Sequence, residues 1–75
     1  MGQKEISNRI EYLVSCVGEF AVRHSLSNSQ AYLYLKRFLG LDFLIKFYDA
    51  EHLLSIDEAV ADLTVICHRN GGALV

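Results

Sequence analysis

Proline is absent from these 75 residues, so no position carries the fixed φ and missing N–H that break helices from within. Basic residues are few and dispersed: Lys4, Arg9, Arg23, Lys36, Arg37, Lys46 and Arg69 never cluster, and the formal charge is −2. A nucleic-acid binder neutralises phosphates with a basic face, and the lack of one argues against DNA or RNA as a partner. Long apolar runs are missing too. Lys36, Arg37, Asp42 and Lys46 interrupt the richest region, so nothing approaches the roughly 18 residues of a membrane span. The two cysteines, Cys16 and Cys67, sit in apolar helical patterns, where the side chain acts as a small buried hydrophobe. The start, Met1-Gly2-Gln3-Lys4, lacks the pattern of a secretory leader, so a reducing cytoplasm is the expected compartment.

What the chain does have is apolar content, 52% of all residues, recurring at helical spacing almost from end to end. A chain this short makes one domain, with an ordered core expected over about residues 5–70. Domains of this size bury only about 60% of the surface that the unfolded chain exposes. Surplus apolar area is therefore expected, and its most economical cover is another protein chain, either a different partner or a second copy.

The periodicity predicts an all-α bundle of about four helices and no sheet. Ile6, Ile10, Leu13, Val14, Val17 and Ala21 form one stripe of a helix over about residues 4–24, with Asn8, Glu11, Ser15, Glu19 and Arg23 opposite. Tyr12, Cys16 and Phe20 form a second i, i+4 row that widens the apolar face beyond what one neighbouring helix covers. Ser27 followed by Gln30 fits a capping box, starting a second helix that carries Ala31, Leu35, Phe38 and Leu39 inward. Gly40 is expected to end it in the left-handed C′ conformation. Asp42 is placed to cap a short third helix with Leu41, Leu44, Ile45 and Tyr48 on one side, and residues 49–54 either continue it or connect onward. Ser55-Ile56-Asp57-Glu58 is the clearest start signal, a second capping box, ahead of a fourth helix facing inward through Ala59, Val60, Leu63, Ile66 and Cys67. Asn70-Gly71-Gly72 stops that helix, and Ala73-Leu74-Val75 is expected to fray.

Chemistry-bearing patterns are weak. Asp49, Glu51, His52 and His68 invite a metal reading but lack the i, i+4 or CxxC spacing of metal sites. Cys16 and His24 lie about 12 Å apart along one helix, too far for a nucleophile and its base. Cys67 and His68 leave their helix about 100° apart. No catalytic, cofactor or metal residue is therefore expected, and the chain reads as a non-enzyme. Acidic Asp49, Glu51, Asp57, Glu58 and Asp62 are uninterrupted by Lys or Arg. They read as a solvated face with helix-start acids, or as a patch for a basic partner surface. Tyr34 is expected on the outer side of the second helix near Arg37, a composition favoured at interfaces. Tyr34, Arg37, Asp57, Glu58 and Asp62 are thus the candidate partner-binding residues.

The run Tyr34-Leu35-Lys36-Arg37-Phe38-Leu39-Gly40-Leu41-Asp42-Phe43-Leu44 stands out. With Tyr48, His52, Leu54-Ser55, Asp57-Glu58-Ala59-Val60, Asp62-Leu63 and Gly71-Gly72, it resembles a family of short bacterial proteins, the domain of unknown function 3791. The likeness spans most of residues 5–72. It implies an all-helical fold and a protein partner similar to ADP-ribosyltransferases, beside which members are often encoded in an arrangement like toxin with antitoxin. It carries no catalytic motif over. It also implies structural constraint at Tyr48 and His52, through a bond from one of them to the fourth-helix start, where Ser55 is the structural cap. The rival expectations are a structural homodimer packed through the Tyr12, Cys16, Phe20 flank or the Tyr34 face, and a small metal protein or enzyme built on His52 and its neighbouring carboxylates.

Overall fold

Both capping boxes form. Ser27 Oγ accepts the Gln30 N–H at 3.1 Å while the Gln30 side chain accepts the Ser27 N–H at 2.9 Å. Ser55 Oγ likewise accepts the Glu58 N–H at 3.1 Å, and the Glu58 carboxylate accepts the Ser55 N–H at 3.2 Å. Each box satisfies donors that a helix start would otherwise orphan. The computed structural model describes residues 3–73, in five helices: α1 (Gln3–Arg23), α2 (Asn28–Arg37), α3 (Gly40–Lys46), α4 (Tyr48–Glu51) and α5 (Ile56–Arg69). The described residues contain no strand, so the bundle is all-α. No helix among them is long and apolar enough to cross a membrane. The inward position expected of Ile6 and the fraying of Leu74 and Val75 lie outside the described residues.

α1 packs on α2 and α5, α3 packs on the same two helices, and α4 joins α3. The core draws Cys16, Phe20 and Ala21 from α1, Ala31 and Leu35 from α2, Leu44 from α3, and Ala59, Val60, Leu63 and Cys67 from α5. The two rows of α1 therefore exchange the weights expected of them. Cys16 and Phe20, the supposed flank, are fully buried, whereas Ile10 and Val14 of the supposed inward stripe are 55% and 65% exposed. The apolar arc of α1 is wider than α2 and α5 can cover, and those helices sit over its Cys16–Phe20 side. Cys16 and Phe20 of the flank are thus spent inside the bundle, and Tyr12 beside them is half-buried.

Two turns differ from expectation. The left-handed residue after α2 is Leu39, at φ 68°, and Gly40 is already the first residue of α3. Gly40 is needed for its missing side chain: a Cβ there would stand 2.8 Å from Leu35 Cδ2 and 3.1 Å from Cys67 Sγ. Asp42 is not the cap of α3: that position falls to Leu39, which makes no side-chain cap bond, and Asp42 lies within the first turn. The third helical stretch is also broken, because Phe47 leaves helical geometry (φ −107°, ψ 24°) and separates α3 from the single turn α4. After α5 the expected stop is met. Gly71 takes φ 96°, the Gly72 N–H reaches the Cys67 carbonyl at 2.8 Å, and the Gly71 N–H reaches that of His68 at 3.2 Å, the paired bonds of a Schellman motif.

A candidate protein-binding groove

Because α2 and α5 cover only one side of α1, the other side becomes a wall. Ile10, Leu13, Val14 and Val17 of α1 face Tyr32 and Leu33 of α2 and Leu41 and Ile45 of α3 across a groove of about 750 Å³. Asn28 and Ser29 supply its polar edge, and among the described residues no charged side chain lines it. Leu33 is 62% and Ile45 59% exposed. Neither residue continues the Ala31–Leu35 or Gly40–Leu44 inward spacing of its own helix, which is why each is left facing solvent. Of the lining residues, Ile10, Leu13, Val14, Val17, Leu41 and Ile45 were expected inward, and Leu33 was assigned no role. No local signal marked them, since apolar i, i+1 pairs like 13–14 and 32–33 also occur buried here, at Phe20-Ala21 and Ala59-Val60.

The residues singled out from the sequence fall elsewhere, each in its own contact. Tyr34 is half-buried, not outward: its ring stacks on Phe20 at 5.7 Å and tilts against Phe38 at 4.7 Å. The close approach of Gly72, where any Cβ would overlap the Tyr34 hydroxyl, holds it there. Arg37 is exposed and lies 5.4 Å over the Phe38 ring. Asp57 pairs with Arg23 at 3.0 Å, tying the end of α1 to the start of α5, and Glu58 is committed to the Ser55 cap. His52 does not reach the start of α5. Its Nδ1 lies 2.7 Å from the Tyr48 carbonyl and its ring stacks on Tyr48 at 4.5 Å. Tyr48 in turn meets Tyr12 edge-on at 5.4 Å, with the Arg9 guanidinium 4.2 Å over its ring.

One acidic residue departs from the solvated face expected of it. Glu51, at the end of α4, is only 7% exposed, and its Oε1 has no hydrogen-bond partner among the described residues. Burial first, then the hydrogen bond and charge of Asp62, push its carboxyl up to about 7. Burial, together with the neighbouring Cys16 thiol, Glu51 and Tyr48, also raises the Tyr12 hydroxyl well above the ordinary tyrosine range. The Cys16 thiol is raised by burial as well, with Glu51 adding to it. Both cysteines are free and buried, and burial lifts Cys67 to about 11. Thiols held protonated in this way are poor nucleophiles. No three His, Cys, Asp or Glu side chains among the described residues are grouped to hold a metal.

No curated protein and no solved structure matches the chain. The family model described as protein of unknown function DUF3791 matches residues 11–70, which takes in four helices whole and all of α1 that borders the core. The chain belongs to that family.

Proposed function

We propose that this chain is a non-enzymatic protein-binding module whose α1–α2–α3 groove receives the apolar face of a helix from another protein. The observation that carries the reading is the uncharged groove itself. Ile10, Val14, Tyr32, Leu33 and Ile45 are all substantially exposed around it. Their exposed side chains rim the groove as neighbours, the kind of contiguous apolar surface that marks a protein-binding site. A charged group entering such a groove would lose water and find no counter-charge, so the occupant's contacting face is apolar. Three helices already form the walls, and a fourth would complete ordinary helix packing at about 8–10 Å between axes.

We take the partner to be a protein similar to ADP-ribosyltransferases, with this chain as its cytoplasmic regulator or antitoxin-like companion, as the resemblance of the sequence implies. The test is coexpression with the adjacent reading frame, for the wild type and for Val14→Glu and Leu33→Glu. Both positions are exposed, so the variants should keep the wild-type circular dichroism and melting while losing copurification and any effect on the neighbour's toxicity. Undiminished copurification by the double variant would refute the groove. A wild-type dimer in light scattering that reverts to monomer in the double variant would assign the groove to a second copy instead.

A further inference from the structure

Independently of the groove, the opposite side of α1 carries a buried carboxyl that the bundle has no structural need for. α4 is a single turn between Phe47 and the Ser55 cap, and Glu51 is its one buried residue. Leaving an ionised carboxylate there would cost far more than an apolar side chain, yet Glu51 sits with one oxygen unpartnered and another acid beside it. We propose that α4 is a proton-held latch: the Glu51–Asp62 carboxyl pair fastens this turn to α1 and α5 while it keeps a proton, and lets the turn lift when that proton leaves.

The charged and titratable surroundings favour the protonated pair. From α5 comes Asp62, a like charge once both acids ionise. From α1 come Tyr12 and Cys16, both held neutral by burial. The cation nearby, Arg9, is engaged over the Tyr48 ring and lies 3.7 Å from Asp49, and it is not among the groups that set the Glu51 titration. Lys46, at the end of α3, lies 5.5 Å over the Phe47 ring. His52 is turned to the Tyr48 carbonyl. Among the described residues, therefore, no counter-charge waits for an ionised Glu51.

Once α4 lifts, Glu51 meets water and returns to its ordinary value of 4.5 from about 7. Opening thus releases a proton throughout that window, and linkage makes the open fraction rise about 40-fold from pH 5 to 7 before it levels off. Residue-resolved amide exchange on the full chain reads this directly, because protection factors remove the intrinsic pH dependence. The Glu51 and His52 amides, bonded to the Phe47 and Tyr48 carbonyls, should lose about 40-fold protection over that range, while Leu63 and Cys67 stay better protected throughout. Glu51→Gln, neutral at every pH, should show no such fall. Asp62→Asn, which removes the repelling charge but leaves the burial that is the larger cause, should lessen the fall without abolishing it and serves if the first variant does not fold. Protection of α4 equal to that of the α5 core would overturn the latch, and so would an undiminished fall in both variants.

Discussion

Gly18 and Gly40 both lie in helices, and adding one methyl group to each should move stability in opposite directions. At Gly18, inside α1, a Cβ meets nothing within 4 Å. Alanine there gains about 0.8–1 kcal/mol of helix propensity, which in a domain of this size lifts Tm by about 4–8 °C. At Gly40 the same Cβ would stand 2.8 Å from Leu35 Cδ2 and 3.1 Å from Cys67 Sγ, and Leu35 and Cys67 are both fully buried. Leu35 cannot swing away without displacing its neighbours, so Gly40→Ala should cost about 1–3 kcal/mol as overpacking does. At the first position of α3 it recovers little propensity in return. Urea unfolding followed at 222 nm should place the two midpoints on either side of the wild type with the slope m unchanged. A Gly40→Ala protein as stable as Gly18→Ala would mean that α3 does not pack against α2 and α5 in the manner described.

Three other substitutions bear on the same structure. Leu39→Gly should stabilise by about 0.5–1 kcal/mol in urea, because relief of a left-handed leucine at φ 68°, about 1–2 kcal/mol, outweighs the extra freedom of glycine in the unfolded chain. Leu35→Ala should cost about 2–5 kcal/mol, a large part of the roughly 4–11 kcal/mol expected for 75 residues; a loss under 1 kcal/mol by calorimetry would contradict its complete burial. Glu51→Gln should remove a pH dependence of global stability: the folded chain holds this proton more tightly than the unfolded one. Its contribution is therefore whole below pH 4.5 and is lost as pH climbs to about 7, worth about 3 kcal/mol at about 1.4 kcal/mol per tenfold. Urea midpoints at pH 5 and 7.5 for both proteins decide it, and parallel curves would refute the assignment.

Helix starts were legible because their chemistry is local. Ser27 with Gln30 and Ser55 with Glu58 each close a ring of bonds within four residues, and the Asn70-Gly71-Gly72 stop is equally self-contained. The core of α5 was legible for a related reason: its 14 residues carry one apolar stripe, with only Ala61 and Val65 among the apolar residues left exposed off it. α1 was misjudged because it carries two adjacent stripes, and periodicity states how wide an apolar arc is without stating where the neighbours will sit on it. Gly40 was misread for a similar reason, since a glycine that permits φ above zero and one that permits close packing look alike in sequence. Tyr34 and Glu51 were out of reach. What fixes Tyr34 is contact with Phe20 and Gly72, and what perturbs Glu51 is Asp62, eleven residues away on another helix.

The doubled stripe of α1 links the two functional proposals and also keeps them separable. One edge of its arc, at Ile10 and Val14, borders the groove, and the other, at Tyr12 and Cys16, borders the carboxyl pair. A helix that buried both edges would need neighbours around more than half its circumference, which a bundle of this length does not supply. The groove side is left apolar and open. At Tyr12 the other side is covered by the single turn of α4, whose buried anchor is a carboxyl where an aliphatic side chain would hold more firmly. Charges introduced at Val14 or Leu33 should therefore change partner binding and leave the α4 protection profile as it is. Neutralising Glu51 or Asp62 should do the reverse. If either pair of changes moved both readouts, α1 would have to transmit strain between its two edges, and the picture of one rigid helix serving two independent faces would fail.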